Sequence, residues 1–347
     1  MNIKSSDYLV EKDFMANLSQ PSDEHSSSQA NLGNENFNLT ANDGVNFWLE
    51  QGFTRLVYLF SAITVTVLFV MSWIIFQEAK PAIAQFGIGF IWGKDWDVGN
   101  EIFGALPYIY GTLVSSAIAI FLAFPVGLAV ALVTSENFLL PSVQTTLAFV
   151  VELIAAIPSV IVGLWGIFIF IPVIEPLQQW LANNLKWIPI FKSDFPVGTN
   201  MLTAGIILAI MILPTMAAIT RDVLLAIPQQ LRTASMALGG TRWETIFRVL
   251  LPAGFSGIVS AAMLALGRAL GETMAVTMVI GNSAQISLSL LDPAYTIPSV
   301  LANEFAEATP GLHIGALSYL GLILFALTLV VNIGARLLVQ WVGRKNK

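Results

Sequence analysis

The sequence predicts an all-α integral membrane protein with six transmembrane helices and one large polar interruption between the fourth and the fifth. Three observations lead there. Of 347 residues, 56% are hydrophobic and only 11% charged, with a mean hydropathy of +0.74, a balance foreign to soluble domains of this size. Six apolar runs approach or exceed the ~20 residues needed to cross a hydrocarbon core of ~30 Å at ~1.5 Å per residue. Between two of them, Arg221–Pro252 keeps helical periodicity while turning polar.

The net charge of −6 is not a clue to partners. Asp7, Glu11, Asp13, Asp23, Glu24, Glu35, Asp43 and Glu50 put eight of the 22 carboxylates before Gln51. Cysteine is absent, which excludes disulfides, iron–sulfur clusters and thiolate zinc sites. His25 and His313, the two histidines, cannot build a metal site by themselves. The few arginines follow membrane topology, so the expected environment is a lipid bilayer and not nucleic acid.

Residues 1–45 are rich in Ser, Asn, Asp and Glu. They cannot bury enough apolar surface to offset ordering entropy and are expected to be disordered, leaving 46–347 as the membrane domain. No apolar stretch follows a basic start, so the tail is not a signal peptide. The first span is 56–76. Its following loop mixes Lys80, Lys94, Asp95, Asp97 and Glu101 with Trp92 and Trp96, a composition suited to an interface. The second span is 108–133, containing Pro125 and Gly127, and the third 147–174, containing Glu152 and Pro158. A loop over about 175–200 carries Trp180, Trp187, Pro189 and Pro196. Span four is 202–219, with Pro214, span five 253–281 and span six 314–334. Prolines 125, 158 and 214 are possible kinks. Glu152, a few residues into its span, is read as structural, reaching the inner interface or pairing with an arginine there.

Six spans place both termini on one side. With the N-terminus inside, the inner segments hold Lys4, Lys12, Arg55, Arg221, Arg232, Arg242, Arg248, Arg336, Arg344, Lys345 and Lys347, whereas the outer loops hold Lys80, Lys94, Lys186 and Lys192. That asymmetry puts both termini and the interruption in the cytoplasm.

Arg268 and Glu272 stand inside the fifth span, GRALGETMAV. On a continuous helix, four residues apart, they would share a face and reach each other. A lone charge at mid-span costs about 2.5–3.5 kcal/mol even on the lenient insertion scale, so the pair is expected to face protein or a water-filled path. Gly267 and Gly271 leave room for another helix or a ligand to approach. The alternative is an internal salt bridge that only locks packing.

In the interruption 221–252, Leu224, Leu225, Leu231, Ala234, Ala237 and Leu238 have helical spacing, and Pro228 suits a first turn. Gly239-Gly240 can end that helix, Gly239 with a positive φ. Thr241-Arg242-Trp243-Glu244 then has the form of a capping box opening a second short amphipathic helix through Trp243, Ile246, Phe247, Leu250 and Leu251. Two short helices at a glycine pair make a surface elbow, suited either to docking a partner or to packing on its own domain.

The elbow resembles the "EAA" loop of ABC-importer permeases, in which E-A-A, three residues, G, nine residues and I-x-L-P follow in order. Ala234, Gly239, Leu251 and Pro252 match, while Thr233 stands for the glutamate, Ser235 for an alanine and Val249 for the isoleucine. The run Glu152–Val160 before Gly163-Leu164-Trp165-Gly166, together with Gly205–Pro214 and Gly267–Val276, is similar to phosphate ABC-transporter permeases, the PstC-type subunit in particular, over about residues 56–336.

That resemblance implies a binding-protein-dependent type I importer permease in a bacterial inner membrane, forming half of a path for inorganic phosphate. It implies a PstA-type permease beside it, two PstB-type ATPase subunits below and a PstS-type phosphate-binding protein outside. The elbow becomes the coupling helix, with Ala234, Ser235, Gly239, Trp243, Leu251 and Pro252 facing or shaping the ATPase contact, and Arg268 and Glu272 become path residues. The chain itself has no G-x-x-x-x-G-K-[ST] phosphate loop. ATP and its magnesium are therefore expected on the partner, with no cofactor and no catalysis in this chain. A permease for another oxyanion, molybdate or sulfate, and an ion-coupled anion carrier using Glu272 as proton site and Arg268 as clamp are the competing readings.

Overall fold

The computed structural model describes residues 43–136, 138–193 and 198–345. Of the tail expected over 1–45, residues 1–42 lie outside the described residues, and Asp43 opens the first helix. Two compact units divide the chain, Met1–Phe69 and Val70–Lys347. In the first, the described residues belong to helix α1, Asp43–Phe86. Its apolar side chains from Phe53 to Phe69 are exposed, as lipid-facing residues are, and Thr64 and Thr66 satisfy their hydroxyls on the carbonyls of Phe60 and Ala62.

The second unit continues through α2 (Gly89–Trp92), α3 (Leu106–Ser135), α4 (Pro141–Ala155) and α5 (Ser159–Asn184). After a 3-10 turn at Pro189–Phe191 come α6 (Met201–Ala226), α7 (Gln229–Ala237), α8 (Arg242–Gly271) and α9 (Met274–Val279), then α10 (Ile297–Glu304) and α11 (Leu312–Lys345). Six of these helices are long and apolar enough to span a membrane: α1, α3, α5, α6, α8 and α11.

Helix α6 is the hub. Of its most apolar window 61% is buried, against 33% or less in the other five spans. Its Ile207, Leu208, Ile212 and Met216 are shut into a core with Ala119, Ala123 and Ala131 of α3 and with Ala261 and Ala265 of α8. Small residues on α3 and α8 let these backbones come close, which is how helices associate where no water drives them together. A second cluster forms at the other end, where Phe90 stacks on Tyr319 at 4.6 Å and Trp96 meets Tyr108 edge-on at 5.0 Å.

Several expected boundaries move. The first span runs past 76 to Phe86 and takes Lys80 into the helix, and the fourth runs past 219 to Ala226, into the interruption expected from Arg221. The third span does not run through 147–174: α4 stops at Ala155, and α5 starts at Ser159 after an extended Pro158 (φ −58°, ψ 136°). Proline disfavours helix in the residue before it and lacks the amide the next turn needs. By contrast, helix continues past Pro125 and Pro214. The expected loop 175–200 is partly helix, because α5 extends to Asn184. The fifth span starts earlier and stops sooner than 253–281, as α8 covers Arg242–Gly271 with a π-helical turn at Ile246–Leu250. Beyond α9, a stretch from Gly281 to Thr296 folds back, with Gly281 (φ +94°) bridged to Ala294.

Candidate coupling elbow and permeation groove

The elbow begins where α6 runs out. Ile227 and Pro228 are extended (ψ 128° and 132°), and α7 starts at Gln229 with a change of direction. Nothing in its nine residues is buried. A helix this short has no independent stability, so its position must be imposed from its ends.

At the first end, Arg232 does so. Its Nη2 and Nε both donate to Glu136 Oε1, at 2.8 and 3.0 Å. Its Nη2 and Nη1 also donate to the carbonyls of Leu224 and Ile227, at 2.8 and 2.9 Å. Those carbonyls belong to the end of α6, where backbone acceptors lack intrahelical partners. One guanidinium thus ties α7 to the end of α6 and to the end of α3. Sequence reasoning counted Arg232 only as an inner charge. The available signal was a cation in the turn after a helix end, where it meets the negative pole.

At the second end, Gly239 takes φ +84° as expected, and Gly239 and Gly240 donate to the carbonyls of Met236 and Ser235. The capping box is complete: Glu244 N–H donates to Thr241 Oγ1 at 3.3 Å and Thr241 N–H to Glu244 Oε2 at 3.0 Å. Ser235 and Thr245 join their hydroxyls at 2.8 Å across the turn. Ala234, Leu238 (91% exposed) and Trp243 (59%) face outward, with Trp243 resting on Phe138 and Phe247. Ala234, Ser235, Gly239 and Trp243 therefore gather at the elbow. Leu251 and Pro252 do not. The expected second short helix is the opening of α8 itself, and Leu251 packs against the core further along that rod.

Glu152 lies 3.7 Å from Arg221, the pairing with an inner arginine expected of it.

The other expected pair is not formed. Helix α8 ends at Gly271, and Glu272 is extended (φ −69°, ψ 124°), so the continuous face shared by Arg268 and Glu272 does not exist. The Glu272 carboxylate turns instead to the first turn of α9, accepting from Ala275 N–H at 3.4 Å. Gly267 and Gly271 near the helix end weaken it, and a carboxylate able to serve the next backbone amides gives the chain an alternative. Among the described residues the ion pairs are Arg221–Glu152, Arg232–Glu136, Arg248–Glu244 and His313–Glu304, and Arg268 is in none. Arg268 is exposed and lies between two grooves. One, of about 290 Å³, is apolar and includes Ile157 and Ile161 beside the Pro158 break. The other, of about 640 Å³, sets six polar side chains among apolar ones. Nothing lies within 4 Å of a side chain built at Gly267 or Gly271, so this face of α8 is open.

Residues 123–345 match the family of binding-protein-dependent transport system inner membrane components. The chain is 42% identical over 298 residues to the phosphate transport system permease protein PstC of Pasteurella multocida, covering 84% of this chain and 90% of that one. It is 43% identical over 266 residues to the Mesorhizobium japonicum PstC, covering 76% and 81%. Among solved structures, a bacterial alginate ABC transporter superposes with a TM-score of 0.55 at 17% identity, covering 83% of this chain and 95% of that one. The inward-facing MetNI methionine ABC transporter gives 0.50 at 18% identity, covering 67% and 94%.

Proposed function

The chain belongs to the family of binding-protein-dependent transport system inner membrane components, and from that premise we propose that it is the PstC-type permease subunit of an ATP-driven phosphate importer. It forms one half of the translocation path. A PstA-type permease supplies the other half, two PstB-type ATPase subunits bind the elbow with ATP and magnesium, and a PstS-type protein delivers phosphate from outside. The observation that carries this reading is α7: none of its nine residues is buried, yet it is fixed by Arg232 and by the Ser235–Thr245 contact. A rigid exposed helix serves a partner, and an ion-coupled carrier has no use for one.

The bias of Lys and Arg supports a cytoplasmic elbow and cytoplasmic termini. On this reading Ala234, Ser235 and Trp243 meet the ATPase subunit, Gly239 sets the turn, and Leu251-Pro252 carries motion into α8. Phosphate is charged and needs compensating positive charge in a low-dielectric path, and Arg268 can grip an oxyanion with two N–H groups while staying protonated. Glu272, beyond the helix end, keeps a negative charge close by, so that an anion is passed on and not trapped.

Co-expression with the three partners and reconstitution into vesicles tests the reading. Phosphate uptake should require ATP and the binding protein, and a proton gradient alone should drive none. Gradient-driven uptake without ATP would establish the carrier, and selective uptake of molybdate or sulfate the other oxyanion. Orientation is read separately, since the chain has no cysteine. Leu238→Cys should label only after permeabilisation, and Trp187→Cys, 78% exposed, in intact cells. The reverse pattern would invert the topology.

A further inference from the structure

A second guanidinium shares the larger of the two grooves with Arg268. Helix α11 carries the candidate span Leu312–Leu337, with mean hydropathy 2.4 over its most apolar 18 residues, yet Asn332, Arg336 and Gln340 recur along it every four residues. That spacing on a continuous helix stacks them on one face. Helix α8 carries Ser260 and Arg268 eight residues apart on one face, with Leu264 between them. The two faces meet, because Ser260, Arg268, Asn332, Arg336 and Gln340, with Thr215 of α6, line the same groove of about 640 Å³. Its lining holds two full positive charges, four neutral side chains able to donate hydrogen bonds and no carboxylate. Neither guanidinium takes part in an ion pair among the described residues.

An arginine stretching towards a membrane interface would account for Arg336 alone. It would not account for Asn332 and Gln340 one turn on either side, nor for Ser260 and Arg268 opposite. Two like charges in one groove of reduced dielectric repel each other, and a polyvalent anion between them turns that repulsion into attraction. Planar forks on two different helices suit a tetrahedral oxyanion, whose oxygens point in several directions.

We propose that Arg268 and Arg336 form one two-helix site for a phosphate-type oxyanion, with Ser260, Asn332, Gln340 and Thr215 as neutral donors. The transport reading above supplies the identity of an ion in transit, inorganic phosphate. The headgroup of an anionic phospholipid has the same chemistry.

The test uses the assembled complex in vesicles of phosphatidylcholine and follows modification of Arg268 and Arg336 by phenylglyoxal, read by mass spectrometry against rising inorganic phosphate. Both arginines are expected to be protected with one midpoint, and modification to slow about tenfold at ten times that concentration. Arg336→Gln should move the protection of Arg268 to about tenfold higher phosphate, the scale of one lost charged hydrogen bond, and Arg336→Lys should recover part of it. A parallel arm adds phosphatidylglycerol and omits phosphate. Protection of both arginines there, with none from phosphate, keeps the site and assigns it to a headgroup. Protection of one arginine without the other, or of neither in both arms, overturns it. Joint protection by phosphate in a wild-type complex that imports none would overturn the transport reading and leave the site standing.

Discussion

Arg232 and Arg268 are the same residue put to opposite uses. Arg232 is half-buried and heavily engaged: four hydrogen bonds run to one carboxylate and two helix-end carbonyls. Arg268 is exposed, with no carboxylate partner among the described residues and open grooves on two sides. A charge satisfied from within its own chain builds structure. A charge left unsatisfied within a membrane span costs free energy, which on the transport reading an anion in the groove offsets. On that reading the elbow is complete before a partner docks, and the groove is not.

The largest effect that sharpens this contrast is expected from Arg268→Gln. Phosphate uptake should fall about a hundredfold or more, the scale of a lost charge stabiliser in a low-dielectric site, with assembly and melting temperature of the complex unchanged. Arg268→Gln/Glu272→Gln should be equally inactive. Recovery in that double variant is the behaviour of an internal ion pair and would break the contrast. Arg232→Ala should do the reverse, lowering stability by about 3 kcal/mol because Glu136 is left part-buried and unpaired, seen as loss of assembled complex in thermal unfolding. A stable but inactive Arg232→Ala complex would make the two arginines alike.

A smaller effect is expected from Gly239→Val. No atom lies within 4 Å of the new Cβ, so the cost is the backbone's own, about 1–2 kcal/mol for a left-handed conformation. The membrane domain should stay folded while pull-down of the ATPase subunit weakens roughly tenfold, as that energy converts. Gly239→Asn, which tolerates the conformation, should bind almost normally. Smallest is Thr241→Ala, which removes a cap worth about 1 kcal/mol. Hydrogen exchange should quicken over Arg242–Thr245 while exchange around Arg268 is unaltered. Faster exchange in both places would show that the elbow and the groove are not separately built.

The six spans were legible because lipid demands long apolar helices, and composition alone reports those. The elbow was legible down to its φ sign and capping box, since Gly239, Thr241 and Glu244 act on neighbours within three residues. Pairing across the chain was legible only in part. Glu152 was placed near some arginine, but nothing local marks Glu136 and Arg232 as partners ninety-six positions apart. The helix break after Gly271 went unread because GRALGET is apolar on both sides and carries no proline. Its signal was a pair of glycines four residues apart, the second directly followed by a carboxylate. The row Asn332, Arg336, Gln340 was visible at helical spacing but was absorbed into a count of inner charges.

The unbroken run from the elbow to the groove has a mechanical consequence. Thr245, bonded to Ser235 of α7, and Arg268 ride on one rod, α8, roughly 35 Å apart at ~1.5 Å per residue. A tilt of about 3° pivoted at the elbow end carries the guanidinium sideways by ~2 Å over that length, comparable to the difference between gripping an oxygen and releasing it. The rod is a lever with a long arm. Small strokes at the docking surface are enlarged where the charge sits, and the π-helical turn at Ile246–Leu250 lies beside the fulcrum.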